Sequence, residues 1–579
     1  MTKGNVRELL ESKVSSALNA AGAADAPGVV RVAGKPEFGD YQANGIMGAA
    51  KRLKTNPREL AAAVVEQLNL ASIAEIADVE IAGPGFLNLK LKDSWLANTL
   101  NSRTSMLATT EKPQVVVVDY SSPNLAKEMH VGHIRSTIIG DATVRMLEAL
   151  GHQVVRQNHV GDWGTQFGML VTYLRELDDT DDAAQSALSD LEEFYRAAKA
   201  KFDADPQFAE RSRLAVVALQ AGDSEVRALW QRFIDLSLHH CQALYERLGT
   251  TLRPQDVMAE SAYNDSLPGV IERLQARGLL SESDGAQCVF LDEFKGKDGD
   301  ILPVIVQKSD GGYLYATTDL AAINHRANTL NADRVMVFTD ARQVLHFRQI
   351  YAVARAAGFD SDKVSLEHYP FGAMLGADGK PFKTREGSVV KLSDLLDEAF
   401  ERGRAAVTQA AQLTDLNEID AAASAIGIGA VKYADLSKNR TSDYIFDWDA
   451  MMSFDGNTAP YLQYAYARIQ SIFRRGDLSA TDAAALQVQD LTEPAEHQLA
   501  ATVLRVQEVV EQSVAEGMPH YLCTYLYELA SRFMTFYEAC PILKSEGTQR
   551  QSRLALAAQT AKVLQGGLNL LGIETVDRM

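Results

Sequence analysis

Cysteine, tryptophan and long apolar runs are what this sequence has least of. Only four cysteines (Cys241, Cys288, Cys523, Cys540) and four tryptophans occur in 579 residues. No cysteines fall at Cys-x-x-Cys spacing, which argues against a cysteine zinc site and fits a reducing, cytoplasmic setting. No run of about 18 apolar residues is present, so no membrane span is expected. After Met1 the chain reads Thr-Lys-Gly-Asn-Val-Arg-Glu-Leu-Leu-Glu, without the apolar core of a signal peptide. Positive charge is also scarce. Acidic residues outnumber basic ones, 76 to 57, for a net charge of −19. Taken alone, that argues against nucleic acid, whose phosphates attract Lys and Arg. Local basic and aromatic surfaces would be needed to overcome it.

What remains is an ordinary globular composition, 46% hydrophobic and 23% charged. The length suggests three to five domains at about 100–200 residues each. Helical patterns at Val6–Ala21 and Pro57–Leu68, and short alternating runs either side of a Gly-Pro-Gly turn in Val79–Leu91, predict a small α+β domain over 1–110. The β-branched run Gln114-Val-Val-Val-Val-Asp119 reads as a strand buried on both faces. A helix over Gly132–Leu150 and a strand at Val154–Asn158 complete a βαβ unit. Further strands are expected in this sheet domain at Leu302–Gln307 and Arg334–Phe338. The charged stretch 172–250 reads as a helical insertion. The spacing predicts helices at Ile419–Asp435, Thr458–Arg475, Glu496–Glu511 and Leu522–Tyr537. The expected whole is multi-domain: an N-terminal α+β domain (1–110), a Rossmann-like α/β parallel-sheet catalytic domain with helical insertions (111–450), and an all-α bundle (451–579).

Between the first strand and its helix lies Asp119-Tyr-Ser-Ser-Pro-Asn-Leu-Ala-Lys-Glu-Met-His130-Val-Gly-His133. Ligands of parallel sheets bind at the carboxyl ends of strands and at helix N-termini. His130 and His133 can donate to phosphate oxygens, Gly132 permits close approach, and Lys127 adds positive charge. The segment is neither a Gly-x4-Gly-Lys loop nor a Gly-x-Gly-x-x-Gly loop. A metal-binding His pair lacks a third ligand here, and two histidines as incidental helix caps is the plain alternative.

The extended form Pro123-Asn-Leu-Ala-Lys-Glu-Met-His-Val-Gly-His-Ile-Arg-Ser-Thr-Ile-Ile-Gly-Asp141 resembles the HIGH motif of class I aminoacyl-tRNA synthetases, the arginyl-tRNA synthetase family in particular. So do Asn158-His-Val-Gly-Asp-Trp-Gly-Thr-Gln-Phe-Gly168, Ala430–Asp447 and Gly456-Asn-Thr-Ala-Pro-Tyr-Leu-Gln-Tyr-Ala-Tyr-Ala-Arg468. These blocks span the chain in family order. The class usually carries a KMSKS loop whose lysines hold ATP phosphates. The corresponding stretch, Leu375–Lys391, has Pro381 and Thr384 at those lysine positions. Lys380, Lys383 and Arg385 are candidates for the same phosphates, against the alternative of a solvated basic loop. Some members of the family lack the standard loop, and the lysine before the HIGH motif, here Lys127, is then implied to compensate.

The resemblance implies ATP-dependent ligation of L-arginine to tRNA(Arg) through an arginyl-adenylate, with AMP and pyrophosphate released. His130, His133 and Lys127 are the implied catalytic groups, with Gly132 beside them at the ATP. Arginine is a planar cation whose site needs a carboxylate and flat acceptors. Tyr315 and Asp319, four apart, can face one pocket if a helix begins there. By resemblance Asp319 pairs with the guanidinium and Tyr315 lines the same pocket. Asp119, Ser121 and Asn124 match positions that hold the α-amino and carboxylate groups, and Gln343 matches one near the adenosine. Magnesium is expected with ATP, bound through phosphates and water, with no protein-ligated metal. For tRNA, Tyr461, Tyr464 and Arg468 share one helical stripe, either a base-stacking surface or a core stripe with a snorkelling Arg. Phe86 and Asn88 match D-loop readers, although Phe86 equally suits a core. Met579 matches a chain end near the anticodon. The region about 375–450 is expected to contact the acceptor stem. A monomer, with no membrane contact, is expected. A synthetase for another amino acid, a silent RNA-binding paralogue and a Rossmann oxidoreductase are the competing readings.

Overall fold

The computed structural model describes residues 4–177, 191–309, 311–360, 363–382, 390–410 and 415–579. The N-terminal part carries a four-stranded antiparallel sheet of β1 (Val30–Val32), β2 (Tyr41–Ala43), β3 (Ala77–Ala82) and β4 (Phe86–Leu91), in the order β1-β2-β4-β3. β1 and β2 have three residues each, too few to leave a readable period in the sequence. The helices Val6–Ala20 and Pro57–Leu70 add Leu10, Val14, Leu60 and Val64 to the core that takes in Leu87 and Leu89. Asn5 and Asn56 cap them, each accepting a backbone N–H of the first turn. Gly85, in the β3–β4 turn, has φ 140°, and a Cβ there would sit 2.8 Å from the Pro57 carbonyl oxygen. Only glycine meets both conditions.

The central domain holds a four-stranded, wholly parallel sheet and a separate antiparallel one. β5 (Val115–Asp119), β6 (Gln153–Gln157), β10 (Arg334–Val337) and β11 (Ser365–His368) run in the order β11-β10-β5-β6. β7 (Leu280–Ser283), β8 (Ala286–Val289) and β9 (Val304–Gln307) form the antiparallel sheet. The strand expected within Leu302–Gln307 is present as β9, and it pairs with β8 in the antiparallel sheet rather than with the parallel one. A short strand beside a hairpin finds its partner locally, before any crossover can form. Val116, Val117 and Val118 of β5 are fully buried. Val117 enters one core, Val116 and Val118 the other, as alternation across a sheet covered on both faces requires.

The helix after β5 opens with a 3-10 turn, Val131–His133, and continues as Ile134–Ala149. A Cβ at Gly140 would lie 2.2 Å from Cβ of Tyr120, so this helix presses directly on the end of β5. Between β6 and β7 run the helices Thr165–Leu177, Leu191–Ala204, Pro206–Ala221 and Ser224–Arg247. They enclose a core of Phe167, Phe194, Phe208 and Phe233.

The C-terminal bundle comprises Ala459–Arg475, Pro494–Leu504, Val506–Glu516, His520–Ala539 and Gly547–Leu570. The helix expected over Glu496–Glu511 is two helices. At Arg505 the backbone N–H bonds to Thr502 oxygen, a tightened turn, while the guanidinium reaches Glu528. Gly547–Leu570 was not legible because it is buried on most of its surface and lacks an amphipathic stripe. The bundle docks on the N-terminal domain: His497 lies 3.1 Å from Asp40 and 2.6 Å from Asp93. Tyr41 Oη donates to Glu508 and Asn5 Nδ2 to Glu511. No helix among the described residues is long and apolar enough to cross a membrane.

Candidate active site

The HIGH turn is locked by its own histidines. His130 Nδ1 accepts the Gly132 backbone N–H at 3.0 Å, and His133 Nδ1 accepts the His130 N–H at 3.1 Å. Each Nδ1 is therefore the acceptor nitrogen, which leaves each neutral ring a proton on Nε2. The rings lie 4.0 Å apart. Burial, then the neighbouring His130, pushes His133 down to about 3. Burial, then Lys127 and Arg342, lowers His130. Two neutral N–H donors side by side suit an oxyanion whose own negative charge arrives with the ligand. A Cβ on Gly132 would lie 2.7 Å from the His130 ring, so glycine is what lets that ring fold over the turn. The turn is also strapped to the far end of the Leu375–Lys391 stretch. Val131 N–H donates to Val390 oxygen, Leu392 N–H to Met129 oxygen, and Lys391 pairs with Glu128 at 3.1 Å. Lys380 is exposed in a turn on the near side of that stretch. Lys383 and Arg385 lie outside the described residues.

At the carboxyl end of β5 the chain makes a sharp reversal. Ser121 and Ser122 both have positive φ, 68° and 45°, a conformation that costs non-glycine residues about 1–3 kcal/mol each. The reversal lets Ser122 Oγ donate to Asp119 and accept the His159 N–H. Asp119 also pairs with Arg326 at 2.6 Å, and both are buried. Arg326 reaches Gln157 at the end of β6 as well, so one cation ties two strand ends. Its place in the short π-turn His325–Thr329 gave no sequence signal. Asp119 thus has an internal partner as well as any substrate. Ser121 is buried, and its hydroxyl meets Tyr245 at 2.8 Å and Thr137 at 2.9 Å. Asn124 is exposed, its Oδ1 accepting the Ala126 N–H.

The helix Tyr315–Asn324 begins at Tyr315, and Asp319 follows one turn later. His346 joins them: its Nε2 is 2.6 Å from Asp319 and its ring 5.1 Å from that of Tyr315. Tyr315 is 63% exposed, standing at the mouth of this cluster. His159 donates from Nδ1 to Met258 oxygen and turns Nε2 toward Asp319 at 3.7 Å. Gln343 is exposed in the turn before His346. The sequence reading missed Glu260. Its N–H bonds to Val160 oxygen, which brings it beside the His159 loop. Burial, then Asp319 and Asp162, pushes its carboxyl up to about 8. Two carboxylates crowded in a half-dry crevice repel one another, and a cation between them relieves the repulsion. No residue spacing announces Glu260, because the helical insertion separates it from Val160 and the antiparallel sheet separates it from Asp319, and it meets both only in the fold.

Remote blocks brace this site. Arg135, directly after the HIGH turn, pairs with Asp435 at 2.9 Å in full burial and donates to Gly372 oxygen. The Ala430–Asp447 block is thus a clamp under the HIGH helix. Gln463, inside the Gly456–Arg468 block, donates to Ala425 and Glu574 oxygens and joins the bundle to the chain end. Beyond it, Tyr461, Tyr464 and Arg468 are half-buried on one helix face. Arg468 donates to Tyr464 Oη at 2.6 Å and lies 4.6 Å from the Tyr537 ring, while Tyr461 packs on Tyr527. Met579 packs against Val407, Ala422 and Ile426. Phe86 is half-buried on β4. Asn88 is buried, accepts from Gln42, and lines a cavity of about 730 Å³ between the N-terminal domain and the bundle. These tRNA candidates lie apart from the His130–Asp319 region.

Known proteins share this domain order and fold. The family pattern described as tRNA synthetases class I (R), catalytic domain, matches residues 96–448. The arginyl tRNA synthetase N terminal domain matches 8–91 and the DALR anticodon binding domain 462–579. The arginine–tRNA ligases of Marinomonas sp. and Hahella chejuensis are each 56% identical over 99% of this chain and 100% of their own. The chain belongs to the arginyl-tRNA synthetase family. The arginyl-tRNA synthetase of Plasmodium falciparum superposes with a TM-score of 0.85 at 28% identity, covering 100% of both chains. That of Thermus thermophilus shares the fold at a TM-score of 0.83 and 24% identity, over 99% of this chain and 100% of its own. The arginyl-tRNA synthetase fold, with its N-terminal domain, parallel-sheet catalytic domain and helical DALR domain, is therefore the frame in which His130, His133 and Asp319 sit.

Proposed function

We propose that this chain ligates L-arginine to tRNA(Arg) with ATP, by way of arginyl-adenylate. The observation that carries the reading is an acidic crevice, Glu260 and Asp319, joined through His159 and Ser122 to the loop that bears the neutral HIGH donors. In this reading Glu260 and Asp319 bracket the guanidinium and Tyr315 covers it. Asp119 and Asn124 face the α-amino and carboxylate end, and Gln343 lies by the adenosine. The arginine carboxylate attacks the α-phosphorus of ATP, the bond to the β-phosphate oxygen breaks, and pyrophosphate leaves. His130 and His133 donate through Nε2 to the phosphoryl oxygens, and Lys127 offsets the charge gathering on the leaving group. The terminal ribose hydroxyl of tRNA then attacks the adenylate carbonyl and AMP departs.

Magnesium bound to ATP would supply further charge neutralisation on the phosphates. The carboxylates nearest the HIGH turn, Glu128 and Asp340, are each paired with a cation, Lys391 and Arg342, which fits a metal held by phosphates and water. Residues 1–110 are assigned to the D-loop through Phe86 and Asn88, 111–450 to catalysis, with about 375–450 toward the acceptor stem, and 451–579 to the anticodon through Tyr461, Tyr464, Arg468 and Met579. A monomer in the cytoplasm completes the proposed reading.

Aminoacylation of total tRNA with each amino acid in turn tests this. Charging with arginine alone is expected, with pyrophosphate exchange only when tRNA is bound. Charging with a different amino acid would overturn the assignment, and absence of any charging would mark a silent RNA-binding paralogue.

A further inference from the structure

Among the described residues, Lys391, Arg342 and Lys127 are cations beside the HIGH turn, and the protein holds them differently. Lys391 is paired with Glu128 and Arg342 with Asp340, at 3.1 and 2.8 Å. Lys127 has no ion pair among the described residues. Its Nζ instead lies 4.3 Å from the centroid of the Tyr195 ring. Tyr195 belongs to the insertion helix Leu191–Ala204, not to the sheet domain. Its backbone is fixed by the preceding residue: Phe194 is buried and packs edge-on to Tyr173 at 5.2 Å and on Phe233 at 6.1 Å.

A carboxylate and an aromatic ring restrain a lysine with different consequences. A carboxylate cancels the charge and must be displaced before a phosphate can bind. A ring face attracts the ammonium through its quadrupole and leaves the full positive charge available. An unrestrained lysine has a long stem whose freedom is lost whenever it meets a ligand. Holding it over a ring removes part of that loss beforehand.

We propose that Tyr195 is a positioning residue for adenylate formation: its ring holds the Lys127 ammonium, undischarged, beside the HIGH turn where the Leu375–Lys391 stretch lacks the usual lysine. The helical insertion thereby acts on ATP through Lys127. The inference rests on the reading of Lys127 as a phosphate-facing cation.

Arginine-dependent pyrophosphate exchange with tRNA present tests both layers, using Tyr195→Leu, Tyr195→Phe, Lys127→Ala and the Tyr195→Leu/Lys127→Ala pair. Tyr195→Leu is expected to lower kcat/KM for ATP about 3- to 10-fold, the range of a half-buried cation–π contact, with KM for arginine unchanged. Tyr195→Phe keeps the ring and is expected to match the parent enzyme. The double variant is expected to be no worse than Lys127→Ala. Additive losses in the double variant, or equal damage from Tyr195→Phe, would overturn the role of Tyr195 while leaving that of Lys127 intact. An unchanged kcat/KM for ATP in Lys127→Ala would remove the reading beneath it. Thermal unfolding and tRNA affinity, expected to be unaltered in Tyr195→Phe and Tyr195→Leu, separate positioning from loss of the fold.

Discussion

At the scale of the residue, protonation state decides what the site can bind. His133 is held neutral far below physiological pH by burial and its His130 neighbour. Its NMR titration midpoint is expected well under the ordinary histidine value of about 6.5. A midpoint near that value would contradict the burial that holds the ring neutral. Replacing His133 with Ala should abolish adenylate formation and leave tRNA affinity unchanged. Glu260 runs the other way. Its carboxyl is raised to about 8 in the absence of substrate by burial, Asp319 and Asp162. On the proposed reading a guanidinium binds the ionised form, so arginine binding should expel a proton at neutral pH. Arginine affinity is expected to increase as pH rises toward about 8 and then level off. In Glu260→Gln the rise should vanish and KM for arginine should increase at least tenfold, in line with the loss of one charged hydrogen-bonded contact of about 1.5–3 kcal/mol. Calorimetry in buffers of different ionisation enthalpy would detect the proton; buffer-independent heats would refute the coupling.

At the scale of the element, close approach and domain docking set the geometry. The helix Ile134–Ala149 can lie against Tyr120 only because position 140 has no side chain. Gly140→Ala should push that helix and its His133 end off the strand, costing about 1–3 kcal/mol of stability. A fall in denaturation midpoint together with slower pyrophosphate exchange is the expected result. The clamp under the same helix is a buried pair, Arg135 and Asp435. Asp435→Ala leaves a buried guanidinium unpaired and should cost about 3–5 kcal/mol, measured by urea unfolding. His497 belongs to a third contact, between the bundle and the N-terminal domain. Although its burial favours the neutral form, Asp40 and Asp93 together raise its pKa. Its contribution is therefore full below the unfolded value near 6.5 and is lost as pH rises through the raised folded value. His497→Gln should flatten the decline in stability over that window. An identical decline in both proteins would exclude His497 as its source.

At the scale of the whole molecule, a chain of net charge −19 must meet a polyanion through a few local groups. Arg468, poised between Tyr464 and Tyr537, is one of them on the proposed reading. Arg468→Ala should weaken tRNA binding and reduce the slope of log K against log salt by about 0.7–0.9, one phosphate contact. An unchanged slope would remove Arg468 from the tRNA face.

The sequence by itself determined the catalytic frame, because its signals are local. Four consecutive valines require a strand covered on both faces, and the His-Val-Gly-His turn that follows needs only neighbours within three residues to lock. Tertiary structure decided which distant groups share a site. Glu260 reaches Asp319, Arg326 ties Asp119 to Gln157, and Tyr195 comes under Lys127, each across segments whose spacing carries no period. It also decided where β9 pairs and where the Glu496–Glu511 helix breaks. The physical reason is common to all of these. Hydrophobic period and turn chemistry act over a few residues, whereas burial, charge pairing and desolvation depend on what the folded chain brings alongside.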